Sequence, residues 1–522
     1  YAMPSRGGAT VLPSAGGVGT QYTPAAGWAS AVRFRAHSLA EAAWAGAIGV
    51  AHGGDGSTAT PGFWAALGIA AANRLPMLFL VDDNGFAISA RSDVQMAGGN
   101  IAANLSGYQG LHVLDGDGTD PPSAARLVAD AVAHVRAGRG PALLRLTVPR
   151  LCGHSFADTQ AYKTAEERAA EEARDPLPRL HDFLVPARMS AAAWDALAAE
   201  VTGEVAAARD RAKAQGASPA ASATRHVFFE ADTPPDVGGT RPEGAGLPAA
   251  FGAAPASVVP ARLNLVDAVR RVLEHELEAS GRVLVFGEDV GAKGGVHGAT
   301  RDLQARFGPA RVFDTSLTEE GMVGRATGMA LAGLVPVVEI QFRKYAEPAT
   351  EQLSDLGTLR WRTVGRFGAP VVVRIPIGVG RATGDPWHSV SAESVLAHAH
   401  GWNIAIPSNA EDAAGLLRAA LRGDDPTFFL EHRVLYDAAV ARRPYPGDDY
   451  VLAFGRAAVV RPGSELTVVT WGEMLYRCLD ASADLGGAVE VIDLRTIRPW
   501  DRDLVLSSVR RTGRCLVVHE DS

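Results

Sequence analysis

Asp55 lies among glycines in Gly53-Gly54-Asp55-Gly56, and Asn84 follows one helix and one strand later in Asp82-Asp83-Asn84-Gly85. An apolar run over 45–51 leads into the first group. Pro61 opens an alanine-rich helix to about Asn73, and a second apolar run, 76–81, leads into the second group. In a parallel sheet both groups emerge at the carboxyl ends of neighbouring strands, where open α/β sheets bind ligands. Two ligands compete for this arrangement. Gly54-Asp55-Gly56-Ser57-Thr58-Ala59 fits a loose dinucleotide fingerprint, with Asp82 or Asp83 as the ribose-binding acid. A carboxylate between those glycines, however, faces a pyrophosphate at a helix N-terminus, a place that favours anions. Two anions side by side need a cation. Asp55, the Asn84 side-chain oxygen and a backbone carbonyl of the Asn84-Gly85-Phe86 turn suit Mg2+, a hard ion that takes oxygens and shares itself with phosphates. The plainest reading leaves glycines and Asp55 as a turn and helix cap.

The elements that must hold these groups follow an α/β pattern. Apolar runs at 45–51, 76–81, 110–114 and 141–148 alternate with helical segments at βαβ spacing. Residues 150–165 form a loop containing Gly153-His154-Ser155, and 164–214 are Ala/Glu/Arg-rich and mostly helical. Ser, Pro, Gly and Ala dominate 216–261, a composition that reads as a linker. Asn264 then caps a helix with Leu265, Val269, Val272, Leu273 and Leu277 on one stripe. A second series of strands follows at 283–286, 335–342, 370–376, 403–406 and 427–431, and a third at 466–471, 488–492 and 514–518. The expected domains are 1–215, 262–445 and 446–522, joined by the 216–261 linker, as if two subunits had been fused.

Composition bounds the function. A chain of 522 residues should hold about three to four domains. Its net charge of −8, without a basic cluster, argues against a nucleic-acid binder. No apolar run is long enough for a membrane span and no signal peptide is visible, so a cytoplasmic location is expected. Cys152, Cys478 and Cys515, far apart and odd in number, fit a reducing compartment. The chain opens at Tyr1 without Met and stops at Ser522, and is read as incomplete at both ends.

GDG followed by Asn84 resembles the thiamine diphosphate motif, and DNGFAIS with GHSFAD resembles the α subunit of the decarboxylating first component of 2-oxo acid dehydrogenase complexes. Longer stretches of 263–521 resemble the β subunit of the same component: FGEDVG (286–291), FGPARVFDTSLTEEGMVG (307–324), PVVEIQF (336–342), HSVSAES (388–394) and VIDLRTIRPWD (491–501). The resemblance implies two thiamine diphosphate-binding doubly wound parallel-sheet domains plus a partial transketolase-type C-terminal domain. It also implies oxidative decarboxylation of a branched-chain 2-oxo acid or pyruvate, acyl transfer to the lipoyl domain of an acyltransferase, and a homodimer with two sites.

The same resemblance distributes roles. Asp55, Asn84 and the Phe86 carbonyl would hold Mg2+, with Gly56 and Ser57 at the diphosphate. Glu319, in Leu317-Thr318-Glu319-Glu320-Gly321, would protonate the aminopyrimidine; Glu288 would relay protons. His388 and His154 would orient the 2-oxo acid and assist transfer, since imidazole can give and take a proton at neutral pH. Gln341 and Tyr345 would line the aminopyrimidine, and Val18 would prop the cofactor into its bent shape. The chain departs from the family's pattern at Asp82 (usually Arg), Asp83 (Asn), Val390 (Gln), Lys344 (Asp) and Thr60-Pro61-Gly62 (an acidic stretch). Rival readings are a ketol transferase of the transketolase or deoxyxylulose-phosphate synthase kind, and a non-catalytic scaffold.

Overall fold

The computed structural model describes residues 8–13, 15–239, 259–380 and 384–521. They form two compact units, residues 44–225 and residues 1–43 with 226–522. The first helix, α1 (Tyr22–His37), therefore belongs in space to the later part of the chain. Among the described residues no helix is long and apolar enough to cross a membrane.

The 44–225 unit is built on a parallel sheet of β1 (Gly49–Gly54), β2 (Met77–Asp83), β3 (His112–Asp117) and β4 (Ala142–Thr147), in the order β1-β2-β4-β3. Between these strands run α2 (Pro61–Ala72) and α3 (Pro121–Arg136). Leu78 and Leu144 face Ala131 and Val135 of α3, whereas Phe79, the neighbour of Leu78, meets Phe63 of α2 edge-on at 5.8 Å. Alternation along one buried strand thus feeds helices on both faces. The first strand begins later than the apolar run suggests. Gly46 at φ 75°, just past a turn at Ala42–Trp44, breaks that run, and pairing continues to Gly53↔Val81 and Gly54↔Asp82. Helices Ala165–Glu172, Pro176–Leu184 and Ala191–Ala214 follow, none with a buried residue.

The other unit carries a seven-stranded sheet. Its elements are α4 (Leu265–Ala279), β5 (Val283–Gly287), β6 (Val312–Asp314), α5 (Glu319–Leu331), β7 (Val335–Glu339), α6 (Thr350–Arg362), β8 (Val372–Ile377), β9 (Asn403–Ala405), α7 (Ala410–Arg422) and β10 (Thr427–His432). The last part of the chain adds β11 (Ala458–Arg461), β12 (Leu466–Thr470), β13 (Val489–Asp493), β14 (Thr496–Arg498) and β15 (Cys515–Val517). The large sheet runs β6-β5-β7-β8-β10-β9-β14, parallel except for β14, which joins antiparallel at the edge. The C-terminal sheet runs β11-β13-β12-β15. The short strands β6, β11 and β14 have too few residues to show a period in the sequence. Of the stretch read as a linker, Val237 and Gly238 pair with Phe367 and Gly368, and the Phe229 N–H donates to Asp425 Oδ1 at 2.8 Å. Residues 240–258 of that stretch lie outside the described residues.

Helices α1 and α5 pack tightly against each other in this unit. A Cβ on Gly27 would fall 2.1 Å from the Arg325 carbonyl oxygen, and one on Gly328 would fall 1.9 Å from that of Pro24. Gly328→Ala is expected to destabilise the unit by about 1–3 kcal/mol, because backbone has no free rotamer with which to yield. Gly68→Ala in α2, where a Cβ meets nothing within 4 Å, should be neutral or stabilising by up to ~1 kcal/mol. Denaturation midpoints of the two variants check this, and equal midpoints would show that the seam is not tight.

Candidate active site

In the 44–225 unit the carboxyl ends of β1 and β2 gather the first set of residues. Past Gly54 the chain makes a tight turn over Asp55–Ala59, sewn by Ser57 Oγ donating to the Gly54 carbonyl (2.6 Å) and Thr58 Oγ1 to that of Asp55 (2.7 Å). Thr60 caps α2 by accepting from the Phe63 N–H, and Pro61 fills the first helical position. Gly56 is required by space: a Cβ there would lie 2.5 Å from that of Ala87 in the second loop. In that loop Asn84 Oδ1 accepts from the Phe86 N–H at 3.1 Å, and Gly85 takes φ 80°. The Asn84 N–H also reaches the Asp55 carboxylate.

Asp55 is 1% exposed. Its Oδ2 accepts from Ser92 Oγ at 2.5 Å, whereas Oδ1 is buried without a hydrogen-bond partner. Burial pushes its carboxyl above the usual range, and the charge of Asp83 adds to this. A buried, half-satisfied carboxylate next to an amide oxygen fits a hard cation. Among the described residues no group of three or more His, Cys, Asp or Glu could hold a metal. A cation at Asp55 would therefore draw its other ligands from amide, backbone and phosphate oxygens.

Asp82 and Asp83 do not present bare charge to this corner. Asp82 Oδ2 lies 2.6 Å from His52 Nε2, and that hydrogen bond pushes the imidazole pKa up. Asp83 Oδ2 accepts from Arg145 Nε at 2.6 Å, and its Oδ1 accepts from the Gly85 N–H at 3.0 Å. An arginine within the apolar strand Ala142–Thr147 was the available signal for that partner. The Phe86 ring is ringed by Tyr162 (5.8 Å), Lys163 Nζ (4.7 Å) and Arg91 (5.1 Å). His154 stands apart on an exposed loop that turns around Asp158, whose Oδ2 accepts the His154 N–H at 2.7 Å.

The other unit gathers a second set. Glu319 is the first residue of α5, half-buried, with Thr318 as cap accepting from the Gly321 N–H. Glu288 follows β5; its Oε2 accepts from Gln341 Nε2 at 2.7 Å, and its Oε1 is buried without a partner. Burial raises the Glu288 pKa, and the charges of Glu319 and Asp289 raise it further. Tyr345 and His388 also meet: the tyrosine hydroxyl lies 3.1 Å from Nε2, and Asp385 Oδ2 lies 2.8 Å from Nδ1. The Tyr345 ring makes an edge contact with Phe342 (5.8 Å). Val18 is 69% exposed in the turn before α1.

Asp55, Gly56, Ser57, Asn84 and Phe86 thus converge within one unit, and Glu288, Glu319 and Gln341 within the other, beside the Tyr345–His388 pair. Val18 and His154 join neither set within their own unit. Ser92 and Asp385 carried no signal of their own, since a serine or aspartate in a polar loop is ordinary. His297 was also missed. Burial lowers it to about 4, so it is neutral at physiological pH, and its Nε2 is buried without a partner.

Three consecutive stretches match known families: the dehydrogenase E1 component over residues 2–221, the transketolase pyrimidine-binding domain over 261–438 and the transketolase C-terminal domain over 455–522. The chain is 40% identical over 273 residues to the 2-oxoisovalerate dehydrogenase subunit beta of Pseudomonas aeruginosa, covering 49% of this chain and 78% of that one. It is 42% identical over 264 residues to the pyruvate dehydrogenase E1 component subunit beta of Bacillus subtilis, covering 50% and 80%. Transketolase from Leishmania mexicana superposes with a TM-score of 0.62 at 15% identity, over 97% of this chain and 74% of that one. A transketolase mutant from Pichia stipitis gives the same values. At that identity the two structures speak for the α/β fold alone. Fold and family matches together define a thiamine diphosphate enzyme, of families that typically use a divalent metal such as Mg2+. The chain belongs to the E1 family of thiamine-dependent 2-oxo acid dehydrogenases, with α-type and β-type parts in one polypeptide.

Asp55→Asn would keep the Ser92 hydrogen bond and remove the buried charge. It is expected to leave the ligand-free protein as stable or more stable, and to abolish Mg2+-dependent thiamine diphosphate binding in titration calorimetry. Undiminished binding in that variant would remove Asp55 from the metal site.

Proposed function

We propose that the chain oxidatively decarboxylates a 2-oxo acid, either pyruvate or a branched-chain acid, and passes the acyl group to a lipoyl domain of a partner acyltransferase. Relatives bearing the pyruvate and the 2-oxoisovalerate names match at nearly equal identity, 42% and 40%, so both substrates are carried forward. The observation that supports a working catalyst over a scaffold is the pair of half-satisfied buried carboxylates. Asp55 Oδ1 and Glu288 Oε1 are buried without a partner, a cost that a bound cation and a shared proton would relieve.

In this reading Asp55, the Asn84 side-chain oxygen and the Phe86 carbonyl would hold Mg2+, and the turn at Gly56 and Ser57 would receive the diphosphate. When bound, thiamine diphosphate supplies the nucleophilic carbon and the electron sink for loss of CO2. Glu319 delivers a proton to the aminopyrimidine ring nitrogen. Glu288, bonded to Gln341 and raised in pKa by the charge of Glu319, holds a proton more readily than a free carboxylate and would relay it. Gln341 and Tyr345 would line the ring, Val18 would prop it, and His388 with His154 would orient the 2-oxo acid and assist acyl transfer. The active species is a homodimer, and three free cysteines support a reducing, cytoplasmic setting.

Turnover of pyruvate, 2-oxoisovalerate and 2-oxoglutarate with an artificial electron acceptor tests the reading. One of the first two should react, activity should vanish on chelation and return with Mg2+, and Glu319→Gln should cut kcat by about a hundredfold or more. Sugar-phosphate turnover in place of 2-oxo acid turnover would establish a ketol transferase instead.

A further inference from the structure

Asp385 is the residue that most clearly changes what His388 can do. It precedes the histidine in Asp385-Pro386-Trp387-His388 and uses its two oxygens differently. Oδ1 accepts the backbone N–H groups of Trp387 (3.0 Å) and His388 (3.2 Å), closing a local turn. Oδ2 lies 2.8 Å from His388 Nδ1, with Oδ1 at 3.0 Å. On the far side of the ring the Tyr345 hydroxyl stands 3.1 Å from Nε2, and Phe342 meets the imidazole edge-on at 4.5 Å. Arg433 donates to the His388 carbonyl, and its guanidinium covers the Phe342 ring at 5.1 Å.

A neutral imidazole has one N–H and one lone pair. Were the proton on Nε2, the Nδ1 lone pair would face a carboxylate oxygen, acceptor against acceptor. We propose that Asp385 is a positioning residue that fixes His388 with its proton on Nδ1, leaving the Nε2 lone pair to accept from Tyr345 and, in catalysis, from a group that carries a proton. Asp385 is held ionised for this purpose: the His388 hydrogen bond lowers its carboxyl below the usual range, and the two backbone N–H groups reinforce the effect. The order Asp385, His388, Tyr345 is a line of hydrogen bonds with a single direction, in which Tyr345 O–H donates to Nε2 and Nδ1–H donates to Asp385. The proposal rests on His388 acting at the substrate, as given above.

Asp385→Asn separates positioning from mere turn formation. Asparagine keeps an Oδ1 that accepts both backbone N–H groups, so the turn is retained. Its amide nitrogen replaces Oδ2 with a donor, which favours the opposite tautomer, the effect that inactivates catalytic triads when their aspartate becomes asparagine. Nitrogen NMR of the histidine-labelled protein should show Nδ1–H at His388 in the parent and Nε2–H in Asp385→Asn. The variant should lose about tenfold or more in kcat with KM little changed, and Asp385→Glu should recover part of the loss. A parent histidine already carrying its proton on Nε2 would overturn the proposal. So would an unchanged kcat in Asp385→Asn alongside a crippled His388→Ala, which would leave the functional reading intact. An unaffected His388→Ala would sink the role of His388 itself, and the proposal with it.

Discussion

The rest of the structure depends on how closely α1 and α5 approach. Gly27 on one helix and Gly328 on the other let backbone meet backbone, Gly328 against Pro24 and Trp28 and Gly27 against Arg325, while Gly324 makes room for the Thr23 side chain. Every residue of α5 from Gly321 to Leu331 is buried, so the helix cannot slide along its axis without opening a packed interior. Gln352 of α6 adds a tie by donating Nε2 to the Thr20 carbonyl at 3.0 Å. Arg325 is the costly member. Burial and the charge of Arg33 lower it to about 9, and in return it stacks on Phe313 and Phe286 and donates to Ser30 Oγ. The consequence for function is positional. Glu319 is the first residue of this helix, so whatever fixes the helix fixes the carboxylate proposed to protonate the coenzyme.

A second lock sits under the neighbouring strand ends. Arg374 of β8 is fully buried, bidentate to Glu431 of β10 and bonded through its other nitrogen to Glu339 of β7 at 2.6 Å. Tyr436 donates to the same Glu431 at 2.9 Å. Such a cluster is a poor source of net stability, because desolvation offsets most of the attraction. Its effect lies in register, since a one-residue slip of any of the three strands would strand a charge in the interior. Glu339 ends β7 two residues before Gln341, so this lock also sets where Gln341 meets Glu288.

What the sequence displayed, and what it hid, divides along physical lines. Long buried strands and the helices between them were visible because burial on both faces leaves continuous apolar runs. The approach of Asp55 to Asn84 was visible because parallel topology alone brings successive strand ends together. The edge strands β6, β11 and β14, of three or four residues, were not visible, nor was the transfer of α1 to the later unit, because glycine spacing in an alanine-rich helix gives no hint of its partner. Ser92 and Asp385 were hidden for another reason. Each acts on a residue the motifs did mark, and a second partner is chosen by three-dimensional proximity that no local pattern records.

The carboxylates that the motifs marked share a thermodynamic condition. Asp55 and Glu288 each have one oxygen satisfied by a neutral donor, Ser92 and Gln341, and one buried with none. Both pKa values are raised by burial, so each carboxyl holds a proton more readily than a free one would. The two differ in what relieves that condition. At Asp55 the neighbours are an amide, a glycine turn and a helix N-terminus, so in the proposed reading a cation bound to phosphate would satisfy Oδ1 and favour the charged form. At Glu288 the neighbour is another carboxylate, so relief would come from sharing a proton. One kind of burial would then serve opposite chemistries, metal binding in one unit and proton holding in the other. The distinction is made by the second residue at each place: Asn84 for Asp55, Glu319 for Glu288.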